Sequence, residues 1–178
     1  MRRYGAEMKW LPFDLHPEYP AEGVARETLE RRYGEGFLEH TRATVEAAGL
    51  RHAPPPRIPR ALRALQLGEL ARAEGAHAEL HPRLFSAYWS EGRDIGDVEV
   101  LVSLAADVGL DADKTREVLE ADALADRVQS STTAAHRLGA DGVPAWLIDD
   151  KVLVIGAQPH DVFDEVLKDL GYAGDREP

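Results

Sequence analysis

The 178 residues carry 21 Lys and Arg against 32 Asp and Glu, a formal charge of −11, with 44% hydrophobic and 30% charged residues. These are globular proportions with enough chain for one core, and the acidic balance argues against nucleic acid or an anionic membrane surface as a partner. Zero cysteines exclude a disulfide, a thiolate nucleophile and a cysteine metal site.

MRRYGAEMKW at the N-terminus has no apolar run behind its arginines, and no later stretch approaches the ~20 apolar residues of a membrane span. The expected compartment is the cytoplasm. Met8, Trp10, Phe13 and Leu15 alternate imperfectly around Pro12, which predicts a strand over Glu7 to Leu15, at an edge or with a kinked end. Residues 16 to 23, HPEYPAEG, read as a proline-punctuated loop. Helices follow at Val24 to Tyr33 and Phe37 to Ala48, closed by Gly34 and Gly49. HAPPPRIP, residues 52 to 59, is too rich in proline for periodic structure and is expected to be a stiff connector.

Leu62, Leu65 and Leu70 predict a helix from Arg60 to Glu74, ended by Gly75. Pro82 is expected to open another, with Leu84, Phe85, Tyr88 and Trp89 at spacings that share a face and pack inward. After the GRDIGD turn at 92 to 97, Asp97 caps Val98 to Val108, and Asp111 or Asp113 caps the next segment. A long helix from Ala121 to Leu138 closes the block, so 24 to 138 read as a helical array without strand signal. Beyond Gly142, AWLID and VLVIG are β-rich runs separated by Asp149, Asp150 and Lys151, which is hairpin spacing. Pro159 starts a last helix with an apolar stripe of Val162, Phe163, Val166, Leu167 and Leu170.

Three stretches, WLPFDLHPEYPAEG at 10 to 23, LFSAYWSEGRDIGDVEVLVSLAADVGLD at 84 to 111 and GVPAWLIDDKVLVIGAQP at 142 to 159, resemble the DsbA-like oxidoreductases, especially their FrnE branch. The resemblance implies an α/β fold: a thioredoxin-like sheet missing its first strand–helix unit, with a large all-helical insertion. Residues 1–23 and 139–172 would form the thioredoxin-like part, 24–138 the insertion and 173–178 a tail. It also implies a cis bond before Pro144, with the main chain of Val143 facing outward to pair with an extended peptide or a glutathione-like ligand. Val143, Pro144, Phe13, His16 and Pro17 are the residues expected to line that site. No catalytic residue, metal ligand or required cofactor is assigned.

The family's Cys-x-x-Cys, and the serine that related 2-hydroxychromene-2-carboxylate isomerases and kappa-class glutathione transferases place there, would precede Met1. Met1 to Gly5 resemble the last turn of the helix that follows that motif. The absent strand would lie between Glu7–Leu15 and Ala145–Asp149, leaving them ~9.6 Å apart. The gap is expected to close up, to be filled by another copy in a homodimer, or to be filled by an upstream segment, the last being preferred. By resemblance the chain is a thiol–disulfide oxidoreductase homologue, but one expected to be redox-inactive as given. The alternatives are a peptide- or glutathione-binding module, or a glutathione-dependent isomerase or transferase if an upstream serine exists.

Weaker signals have plainer readings. His77 and His81 have metal-ligand spacing, but Pro82 is expected to separate them and no third ligand is evident. Asp149, Asp150, Asp161 and Asp164 fit turn and helix-start roles.

Overall fold

A computed structural model describes residues 4 to 173, with eight helices and four short strands among them. The expected turn at Met1–Arg3 and most of the 173–178 tail lie outside the described residues. Two compact units divide the chain, one of residues 16–129 and one of 1–15 with 130–178.

The 16–129 unit is built on helices. Here α1 is Thr28–Tyr33, α2 Phe37–Ala47, α3 Leu62–Ala73, α4 His77–Trp89, α5 Val98–Asp107 and α6 Ala112–Glu120. Its centre is Leu67, Leu80, Leu101, Leu104 and Leu119, contributed by α3 to α6 and fully buried. Side-chain caps set two of the helix starts. Asp97 accepts from the amide of Val100 at 3.0 Å, and Asp111, rather than Asp113, accepts from Lys114 at 2.7 Å, each satisfying a donor with no partner inside its helix. Tyr88 turns inward as expected and receives the Arg26 guanidinium at 2.6 Å, whereas Phe85 stays exposed.

Four sequence expectations need correction. Val24–Ala25 is not helical but forms a strand, β1, antiparallel to Arg57–Ile58, β2, inside the presumed connector. Arginine side chains stabilise this pair. Arg26 donates through Nε to the carbonyl of Pro55 and through its amide to Pro56, while Arg57 donates to the carbonyls of Glu22 and Gly23. Gly23, at φ +70°, is required at the crossing, because a Cβ there would stand 2.3 Å from the carbonyl oxygen of Ile58.

Pro82 lies within α4 and does not open it. It costs one backbone bond, and the burial of Leu80 and Ala87 on either side of it offsets the loss. The predicted Ala121–Leu138 helix begins later, as α7 at Ala125–Arg137, after a left-handed Asp122. Buried Gln66 of α3 fixes that break, donating to the Asp122 carboxylate at 2.8 Å and accepting from the amide of Leu124 at 3.0 Å.

The remaining unit holds α7 from residue 130 onward, the strands Ala145–Ile148 (β3) and Val152–Ile155 (β4), and α8 at His160–Asp169. The hairpin and final helix stand where the sequence places them, with Ala145 opposite Ile155 and Ile148 opposite Val152. The fourth correction is the strand expected over Glu7 to Leu15, which has no ladder among the described residues. Alternation reports which side chains face inward, not whether a neighbour pairs with the backbone. Pro12 has no amide to offer, and the amide of Asp14 is taken by the Thr132 hydroxyl at 2.9 Å.

Replacing Leu104 by Ala should lower the unfolding free energy by roughly 2–5 kcal/mol, the usual cost of truncating a fully buried leucine. Urea denaturation would show this as an earlier midpoint with an unchanged slope.

Candidate functional site

The end of α7 prepares the site. Gly139, at φ +89°, turns the chain out of the helix, and the amide of Ala140 returns to the carbonyl of Ala135 at 3.0 Å, which closes the helix with a Schellman pattern. Ala140 is buried, so the chain is anchored immediately before Asp141 and Gly142 deliver Val143 and Pro144.

The Val143–Pro144 peptide bond is cis. Val143 is 54% exposed, and its amide and carbonyl make no hydrogen bond among the described residues. Its neighbour is fixed, since the carbonyl of Pro144 accepts from the amide of Gly156 at 2.8 Å, one step beyond the β3–β4 ladder. The hairpin therefore holds a free peptide unit at its open end.

Trp146, two residues along β3, organises the layer beneath. Its ring centroid lies 6.2 Å from Trp10 and 5.3 Å from Phe163 of α8, the latter edge-on. The buried indole N–H of Trp146 has no acceptor among the described residues. At the other end of the hairpin, Asp149 and Asp150 are both left-handed, as a primed turn requires, and the amide of Lys151 closes it on Ile148 at 3.0 Å. The Asp149 carboxylate accepts from the Tyr172 hydroxyl at 2.6 Å and from Lys151 at 3.0 Å. These bonds, that of Tyr172 first, hold its pKa below the usual carboxylate range.

Phe13, Val143 and Pro144 belong to this one unit. Phe13 meets the His136 ring at 5.2 Å, edge to face, and His136 bonds through Nδ1 to Asp141 at 3.1 Å, two residues before Val143. His136 and Asp141 have no sequence signature. A histidine in the last turn of a polar helix looks like any surface residue until the fold brings Phe13 to it. His16 and Pro17 belong to the helical unit, where His16 is already engaged, bonded to Glu18 at 3.0 Å and stacked on Tyr19 at 4.3 Å.

His77 and His81 share α4, with ring centroids 5.5 Å apart. Burial first, then the Arg72 charge, lowers the pKa of both, and an Arg72 nitrogen stands 3.3 Å from Nε2 of His77. A guanidinium in that place opposes a metal cation. Among the described residues no three His, Asp or Glu side chains gather at metal-binding distance. A cavity of about 560 Å³ in the helical unit shares no residue with the Val143 site, and its Lys114 is already paired with Glu74 at 2.6 Å.

The family of DSBA-like thioredoxin domains matches residues 1–168. The "probable DsbA oxidoreductase" of Streptomyces coelicolor superposes with a TM-score of 0.79 at 30% identity, over 93% of this chain and 75% of that one. A 2-hydroxychromene-2-carboxylate isomerase superposes with a TM-score of 0.69 at 20% identity, over 96% of this chain and 82% of its own, which is a likeness of fold. The uncharacterized protein YwbO of Bacillus subtilis (strain 168) is 25% identical over 169 residues, 92% of this chain and 82% of its own.

A depressed carboxyl group adds stability above its ordinary pKa and loses it as pH falls through the lowered value. Asp149 should therefore titrate below the ordinary aspartate range by NMR, and Tyr172→Phe should move it back up, with Lys151 supplying the smaller remainder.

Proposed function

This chain belongs to the DSBA-like thioredoxin-domain family, and we propose that within it these 178 residues act as a recognition module for extended peptides, glutathione included. They do not act as a thiol–disulfide catalyst. Exchange proceeds through a mixed disulfide formed by an attacking thiolate, and the sequence contains no cysteine to provide one. Hydroxyl and carboxylate groups do not substitute for sulfur in that reversible step.

The observation that carries the recognition reading is the main chain of Val143, exposed just beyond the hairpin ladder and without a hydrogen-bond partner among the described residues. An extended ligand would pair with the Val143 amide and carbonyl as an added strand does. Main-chain pairing gives affinity with little regard to ligand sequence. The exposed Val143 side chain and Phe13 of the same unit would add apolar contact.

Calorimetric titration with glutathione and with an extended peptide tests this reading. Val143→Pro removes the donating amide and should weaken binding by up to about tenfold, the loss of roughly one hydrogen bond's net worth. Val143→Ala keeps the backbone pairing and loses only side-chain contact, so it should weaken binding less than Val143→Pro does. Flat titrations with both ligands would leave the proposal without support. Reduction of insulin by dithiothreitol should proceed in the presence of the chain at the uncatalysed rate, and turnover above that rate would restore a redox role.

A further inference from the structure

We propose that His136 accepts the proton of a thiol carried by a bound cysteine-containing peptide, so that the chain activates a thiol that its own residues do not supply. The inference rests on the recognition reading above, since the peptide must first be held at Val143.

Two contacts fix the His136 ring. Nδ1 of His136 lies 3.1 Å from Oδ1 of Asp141. An ionised carboxylate only accepts, so Nδ1 carries the hydrogen and Nε2 keeps its lone pair. The Phe13 ring, edge-on at 5.2 Å, holds the imidazole from another direction. Nε2 has no hydrogen-bond partner among the described residues, and the His136 side chain is half exposed. The accepting nitrogen is therefore oriented and open.

Position separates this arrangement from an ordinary surface pair, which adds little to stability at such exposure. Asp141 is joined through Gly142 to Val143, so the carboxylate that orients the base is two residues from the peptide unit that would hold the ligand. Phe13, on the other side of the ring, comes from the segment whose next amide, that of Asp14, is fixed on α7 by Thr132. Nucleophile–base–orienter is the order activation of a weak nucleophile requires, and here the nucleophile comes with the ligand.

The chemistry is balanced. The ligand S–H bond breaks, its proton passes to Nε2 of His136, and the electron pair stays on sulfur. With iodoacetamide as electrophile, that pair forms the carbon–sulfur bond while the carbon–iodine bond breaks and iodide leaves. The imidazolium then gives its proton to water. An unperturbed thiol titrates near ~8.5, so near neutral pH most of the ligand thiol still carries the proton that the base would take.

The test measures alkylation of an extended cysteine-containing peptide by iodoacetamide near neutral pH, free and saturated with the chain. The bound peptide should react at least about tenfold faster, at or below the low end of general-base effects because the site is open to water. His136→Gln should abolish the acceleration while leaving the calorimetric affinity unchanged. Asp141→Asn, acting through the base, should lower the saturated rate without changing the peptide concentration that half-saturates it. A bound peptide alkylated no faster than free peptide, or a His136→Gln variant as fast as the parent, overturns the proposal and leaves the recognition reading standing. Absence of binding takes both down.

Discussion

Trp146 is the contact on which the hairpin unit depends. Its ring meets Trp10 from a segment without a ladder and Phe163 from the last helix, and its backbone is paired with Val154 in the middle of the hairpin. A two-stranded ribbon alone is marginal in water, and needs apolar cover on at least one face. Here aromatic packing supplies that cover and also fixes the 7–14 stretch, whose Asp14 amide is bonded to the Thr132 hydroxyl of α7. The free peptide at Val143 follows from the same economy. Pro144 and Gly156 close the ladder one step beyond the last strand pair, and the next residue outward has nothing left to pair with.

The helical unit works differently. Its leucine centre is closed by helices of ordinary length, and the irregular connections between them are held by side chains reaching backbone groups: Asp97 and Asp111 at helix starts, and Gln66 at the break before α7. Gln66 is the most demanding of these. A fully buried amide is costly unless both its ends are bonded, and one end meets Asp122 while the other meets the Leu124 amide.

What could be read from the sequence was local. Two aspartates at a hairpin tip, caps one residue ahead of an apolar run and a five-residue stripe on the last helix depend on neighbours in the chain, and these elements stand as expected. The β1–β2 pair was hidden because two residues show no period and its support comes from arginine side chains. Pro82 misled because the burial that tolerates it is tertiary. The Asp122 break was hidden because Gln66, which fixes it, stands on another helix. Family resemblance alone names Val143, Pro144 and Phe13 as candidates, whereas His136 becomes a candidate only with the fold, since neither of its ring contacts can be inferred from a histidine near a helix end. His16, expected among the residues lining the Val143 site, bonds to Glu18 and stacks on Tyr19.

The arginine bonds that hold the proline-rich crossing have a further consequence. Each ion pair among the described residues includes a carboxylate, so acid, which protonates it, and salt, which screens it, weaken the pair. Arg26 and Arg57 instead point guanidinium groups at uncharged carbonyl oxygens of Pro55, Glu22 and Gly23. A guanidinium stays charged across the whole working range and an amide oxygen has no proton to gain there. The seam where two arginines bind main-chain oxygen is thus indifferent to the acidity that loosens the surface around it.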